Sequence, residues 1–158
     1  MNGGGIYMGG SGSLVNSTVA GNSTAGTGAA VSPNGGGIDG NASVSFKATI
    51  VTNNVAAPAP DCSGGPVSHG GNLIRNTAGC SFTKKSTDKV GVNPKLGALK
   101  GNGGPTQTMA IALSSPAFNA IPKAACSVST DQRGVHRPQG LRCDIGAYER
   151  KVRSVAIA

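Results

Sequence analysis

NGGGIYMGGSGSLVNSTVAGN at residues 2–22 returns as NGGGIDGNASVSFKATIVTNN at residues 34–54, so the chain contains one unit written twice. The two NGGGI motifs stand 32 residues apart, while Thr18-Val19 and Asn22 match Thr49-Ile50 and Asn53 at an offset of 31. A period of this length marks units that cannot bury their own apolar face and must stack on their neighbours. No stretch between the glycine clusters carries apolar residues at i, i+3, i+4 and i+7, which excludes helical repeats. Short alternating runs do occur: SLVNSTVA (13–20), SVSFKATIV (43–51) and TQTMAIAL (106–113) read as strands between Gly/Asn/Ser turns. Such units are expected to wind into a parallel β-helix with equivalent residues about 4.8 Å apart. On the 31–32 residue spacing, Ile6 is expected above Ile38, Val19 above Ile50, and Asn22 level with Asn53 at a turn where stacked amides bond one another.

Composition agrees with a slender interior. The 158 residues include 26 Gly, 9 Pro, three Phe, two Tyr and no Trp, so any core is built from small and β-branched side chains. Hydrophobic content of 37% with only 13% charged residues argues against a disordered chain. The net charge of +8 is unevenly spread: residues 1–74 hold Lys47 against Asp39 and Asp61, whereas residues 75–158 hold the other thirteen Lys and Arg against four acids. A basic half attracts polyanions. Aromatic side chains are not interleaved with the charges, so the stacking element of nucleic-acid binding is missing and no nucleic-acid partner is expected.

No segment approaches the roughly 20 apolar residues that cross a bilayer, and MNGGGIYMGG has neither the basic start nor the apolar run of a signal peptide. The four cysteines fall into two pairs of similar gap, Cys62 with Cys80 and Cys126 with Cys143, and no CxxC element is present. This pattern favours disulfides and an oxidising compartment over zinc. Disulfide-like cysteines without an export signal suggest the C-terminal piece of a longer exported protein, with upstream coils preceding Met1.

From residue 97 the repetition fades. PKLGALKGNGGPTQTMAIALSSPAFNAIP (94–122), then Cys126, then DQRGVHRPQGLRCDIGAYE (131–149) resembles the C-terminal region of secreted bacterial right-handed parallel β-helix proteins with a choice-of-anchor Q domain, relatives of the pectin-lyase-like fold and of polymorphic outer-membrane proteins. GGGI, NSTVAGN and DCSGG…GGNLIRNTAGCSF are similar to the coils that precede that region. The resemblance implies an all-β, right-handed parallel β-helix fragment with an irregular C-terminal cap, at the bacterial cell surface or outside the cell. Its expected organisation is coils over 1–96, a last coil and cap over 97–149, and a tail over 150–158.

Asp131, Asp144 and Glu149 are expected to pair with Arg133, Arg137 and Arg142 and to fix the cap on the last coil, since bidentate arginine bonds hold irregular backbone rigidly. Asp39, Asp61 and Asp88 stand alone in turn-like surroundings and are expected to bond nearby backbone N–H groups. With six acidic residues in all, the chain lacks the carboxylate clusters that lyases and hydrolases of this fold employ. No catalytic residue, metal ligand or cofactor is therefore assigned. The expected function is a non-enzymatic, adhesive surface module that binds extracellular polysaccharide or another surface polymer. The alternative is the C-terminal section of a polysaccharide lyase or hydrolase whose active residues lie in upstream coils.

Overall fold

A computed structural model describes residues 4–24 and 35–152. Asn2 and Asn34 of the two NGGGI motifs, Met1, and the last six residues of the 150–158 tail lie outside this description. The described chain is all-β apart from one 3-10 turn at Lys123–Ala125.

The chain runs through three parallel sheets in the same order on successive passes. The first pass contributes β1 (Ile6–Met8), β2 (Gly12–Val15) and β3 (Thr18–Ala20); the second contributes β4 (Ile38–Gly40), β5 (Val44–Lys47) and β6 (Ile50–Thr52). The third contributes β7 (Cys62–Gly64), β8 (Val67–Ser68) and β9 (Leu73–Ile74), and a fourth adds β10 (Lys89–Val90). The sheets are β1-β4-β7, β2-β5-β8 and β3-β6-β9-β10, with every pairing parallel. Left-handed backbone at Asn16 (φ 46°) and Ala48 (φ 53°) turns the chain between neighbouring strands, so SLVNSTVA and SVSFKATIV are each two strands around a corner.

Ile6 lies opposite Ile38, as the repeat implies. The 31-residue offset is overturned. Val19 pairs with Val51 and Thr18 with Ile50, so the first two passes keep a spacing of 32 throughout. Because successive side chains on a strand point to opposite faces, this one-residue difference moves Ile50 to the other side of the sheet. Val19, Ile38, Val44, Phe46, Val51, Cys62 and Ile74 form the interior between the sheets. Ile50 and Leu73 instead join Ala48, Ile111, Ala117, Ile121, Cys143 and Ile145 in a second core. The β3-β6-β9-β10 sheet is thus buried on both faces, a common condition of parallel sheets.

The NGGGI motif needs glycine for space. A Cβ on Gly36 would sit 2.5 Å from Pro60 O, and one on Gly37 would sit 2.5 Å from Asp61 O. Neither glycine has a positive φ, so close approach of successive passes, and not a left-handed turn, excludes a side chain there.

The C-terminal region adds a hairpin, β11 (Leu96–Lys100) with β12 (Thr108–Ile111), and a second antiparallel pair, β13 (Ile121–Pro122) with β14 (Arg142–Cys143). TQTMAIAL is therefore one half of an antiparallel hairpin and not part of a further parallel pass. This region was expected to plug the interior from its end. It lies against the flank: Gly146 N donates to Ala48 O, Ala147 N donates to Thr18 Oγ1, and Ile121 and Ile145 pack on Ala48, Ile50 and Leu73. The interior is met at the fourth pass by Phe82, whose ring stacks on Phe46 at 6.3 Å between centroids. Exposed apolar side chains of a sheet flank demand a cover as strongly as an open end does, and here the flank receives the larger one.

Candidate functional site

Two polar columns run along the corners of the stack, each ending in a buried aspartate. In the first, Asn22 N and Nδ2 both donate to Asn54 Oδ1 at 3.0 Å, and Asn54 N and Nδ2 donate to Asp61 Oδ1 at 3.1 and 3.0 Å. Asp61 Oδ2 then accepts from Asn76 N. The expected partner Asn53 is instead exposed, with a left-handed φ of 56° and its side chain bonded to Arg75. In the second column Asn72 Oδ1 accepts from Thr49 N, and Asn72 N and Nδ2 donate to Asp88 Oδ1. Asp88 Oδ2 accepts from Ser68 Oγ and Lys85 N. An amide both donates and accepts and so suits the middle of a column, while a carboxylate accepts only and suits its end. Asp39 accepts from Ser63 Oγ.

The remaining three carboxylates converge in the segment 131–149. Asp131 takes Arg133 Nε and Nη2 at 3.0 and 2.7 Å, both on Oδ2, together with the backbone N–H of Glu149; its Oδ1 takes Arg133 N and Val135 N. Burial pushes the Asp131 carboxyl upward, but these backbone donors and the Arg133 guanidinium outweigh it and hold it below its ordinary value. Arg133 is also clamped, its guanidinium lying 3.6 Å from the centre of the Tyr148 ring and donating to Asn102 O.

Arg137 and Glu149 form the second ion pair, 2.8 Å apart and almost fully enclosed. Arg137 also donates to Asp144 O and Gly146 O, while Glu149 accepts from Asp144 N and Gln139 N. Burial draws the Arg137 guanidinium below its ordinary value, opposed by Glu149, Asp131 and Asp144. Asp144 was expected to pair with an arginine side chain. Its oxygens instead accept from the backbone N–H of Asn119 and of Arg150, each at 2.6 Å. Burial pushes its carboxyl up to about 6 against the pull of those two donors. Arg142 is exposed and donates to Ala120 O, with no carboxylate partner among the described residues. Main-chain donors spread along an irregular segment leave no side-chain signature, which is why the sequence suggested three ion pairs where two form.

The cysteines are joined as Cys62–Cys80 and Cys126–Cys143. The first ties the third pass to the fourth. The second fastens the Lys123–Ala125 turn to β14. No helix among the described residues is long and apolar enough to cross a membrane.

Between the first pass and the C-terminal region runs a seam of two adjoining hollows of about 340 and 550 Å³, which share Thr18, Gln132 and Ala147. Its polar lining is mostly neutral: Asn16, Asn22, Gln107 and Thr108 contribute amides and hydroxyls, while the charged residues at its border, Asp131 and Arg137, are buried in their own ion pairs. Buried Asn16 Oδ1 and Arg137 Nε, from residues that border the larger hollow, have no partner among the described residues. This set offers hydrogen bonds to hydroxyl groups, which both donate and accept. Sequence reasoning missed the seam because its two walls are brought together from opposite ends of the chain.

Comparison with family models, with curated proteins and with solved structures finds no match to this chain.

Proposed function

We propose that the chain is a non-enzymatic, extracellular or cell-surface module that binds glycans or similar polymers, built as a section of a right-handed parallel β-helix of the choice-of-anchor Q kind. Three parallel sheets visited in a constant order, with one register of 32 residues kept across all three strands of the first two passes, support the β-helix reading. Among the described residues, β1, β2 and β3 each pair on one side only, which suits further coils docking there. The two disulfides suit an oxidising compartment.

The observation that carries the functional reading is that all six carboxylates accept hydrogen bonds from the protein itself, five of them buried. General acid–base cleavage of a glycosidic bond needs carboxyl groups that reach the substrate. Here the five buried ones hold backbone and Asp39 holds Ser63, and the neutral seam supplies the contact surface. The test is incubation with neutral and acidic polysaccharides, with and without calcium. Retention of the chain on polysaccharide without release of shortened or unsaturated products is expected. Turnover abolished by Asp131→Ala or Asp144→Ala in a folded variant would overturn the reading.

A further inference from the structure

All six carboxylates are buried or half-buried, whereas Lys84, Lys85, Lys95, Lys100, Lys123, Arg75 and Arg142 are exposed. The solvent-facing charge is therefore almost wholly positive, and one part of it is ordered by the stacking. Phe46 lies opposite Ser68, so the next residues in register are Lys47 and His69. Val67 pairs with Thr83 and Leu73 with Lys89, both at an offset of sixteen, which places His69 level with Lys85. Lys85 N donates to Asp88 Oδ2, the atom that also accepts from Ser68 Oγ, and so the fourth pass is pinned beside residue 69. Lys47 and His69 thus stand about 4.8 Å apart on adjacent passes, and Lys85, two residues beyond the Thr83 bridge, extends the column onto the fourth pass. Asp88, the carboxylate beside them, is 4% exposed and already satisfied.

Lys47 and His69 also wall a small hollow of about 70 Å³ whose floor is Ala48, Ile121, Pro122 and Ala125. Two lysines flanking a histidine along an apolar floor fit a linear polymer that carries anions and a nonpolar ring face. We propose that this column is a binding site for an acidic polysaccharide, distinct from the neutral seam; it rests on the reading of the chain as a polymer-binding module. Salt-sensitive attraction follows from the charge. No Phe, Tyr or Trp side chain borders the hollow, so the broad stacking platform that single-stranded nucleic acid uses is lacking.

The test is retention of the intact chain on immobilised polygalacturonate across a salt series, beside a neutral glucan, duplex DNA and phosphatidylserine vesicles. Two charge-matched variants are compared, Lys47→Gln/Lys85→Gln and, on the hairpin, Lys95→Gln/Lys100→Gln, with urea unfolding confirming that both are folded. Binding to polygalacturonate is expected to weaken about tenfold in the first variant and less than about twofold in the second. Equal weakening in both would show diffuse attraction and overturn the column. Equal or tighter binding of DNA or vesicles through Lys47 and Lys85 would overturn the polysaccharide assignment. Neutral glucan held as tightly as polygalacturonate, without salt dependence, would overturn the anionic site and leave the module reading standing; retention of neither polymer would overturn both.

Discussion

Asn54 is a buried side chain whose oxygen accepts from Asn22 N and Nδ2 and whose nitrogen donates to Val19 O and Asp61 Oδ1. Its neighbour Asn53 faces solvent in a left-handed conformation that glycine adopts freely. Asn54→Ala should cost about 3 kcal/mol by stranding buried donors and an acceptor, while Asn53→Gly should change stability by less than about 0.5 kcal/mol. Urea unfolding of the two variants checks this, and a reversed order would restore the 31-residue alignment. Asp144 supplies a second residue-level expectation. Its folded pKa of about 6 lies above the ordinary 3.8, so the folded chain takes up this proton first as pH falls. The stability it contributes is full below about pH 4 and is lost as pH rises through about 6. The stability of the wild type relative to Asp144→Asn should therefore decline between those values and level off above them, as read from urea midpoints over a pH series.

At the scale of the element, β6 couples the two cores. Val51 fills the interior with Val19 and Ile74, and Ile50 meets Ile111, Ile121 and Ile145 under the C-terminal region. Truncation of either to alanine should cost about 2–4 kcal/mol, but the two losses should appear in different places. Ile50→Ala should speed amide hydrogen exchange at Ile145, whose N–H donates to Ala117 O, and across β12 to β14. Val51→Ala should leave those protections in place and loosen the three parallel sheets, as peptide-resolved exchange would show. The strand IVT was legible as a strand but not as to its faces. Both Ile50 and Val51 are apolar because both are buried, so the alternation that normally marks the inward face is absent. The repeat itself was legible because the same glycine contacts recur with each pass: Gly4 approaches Gly36 O and Gly36 approaches Pro60 O.

At the scale of the whole molecule, charge is sorted by depth. Carboxylates tie corners and the C-terminal segment from within, and lysines face the solvent. The sequence could show the excess of basic residues but not this sorting, since Asp61 and Asp88 resemble any turn aspartate until the passes are stacked. By itself the sequence determined the strand content and the vertical stacking of Ile6 on Ile38, because these follow from local pattern and from a repeat that imposes the same contacts on each pass; the interior expected to hold only small and β-branched side chains instead encloses Phe46. Only the tertiary structure decided which face of β6 looks inward, that Phe82 and not the arginine-rich segment meets the interior's end, and that the segment around Ala147 lies on the flank beside Thr18. Those outcomes depend on contacts between residues up to 129 positions apart, whose strength is set by the shapes that meet, and a pattern read along the chain carries no record of what lies across from it.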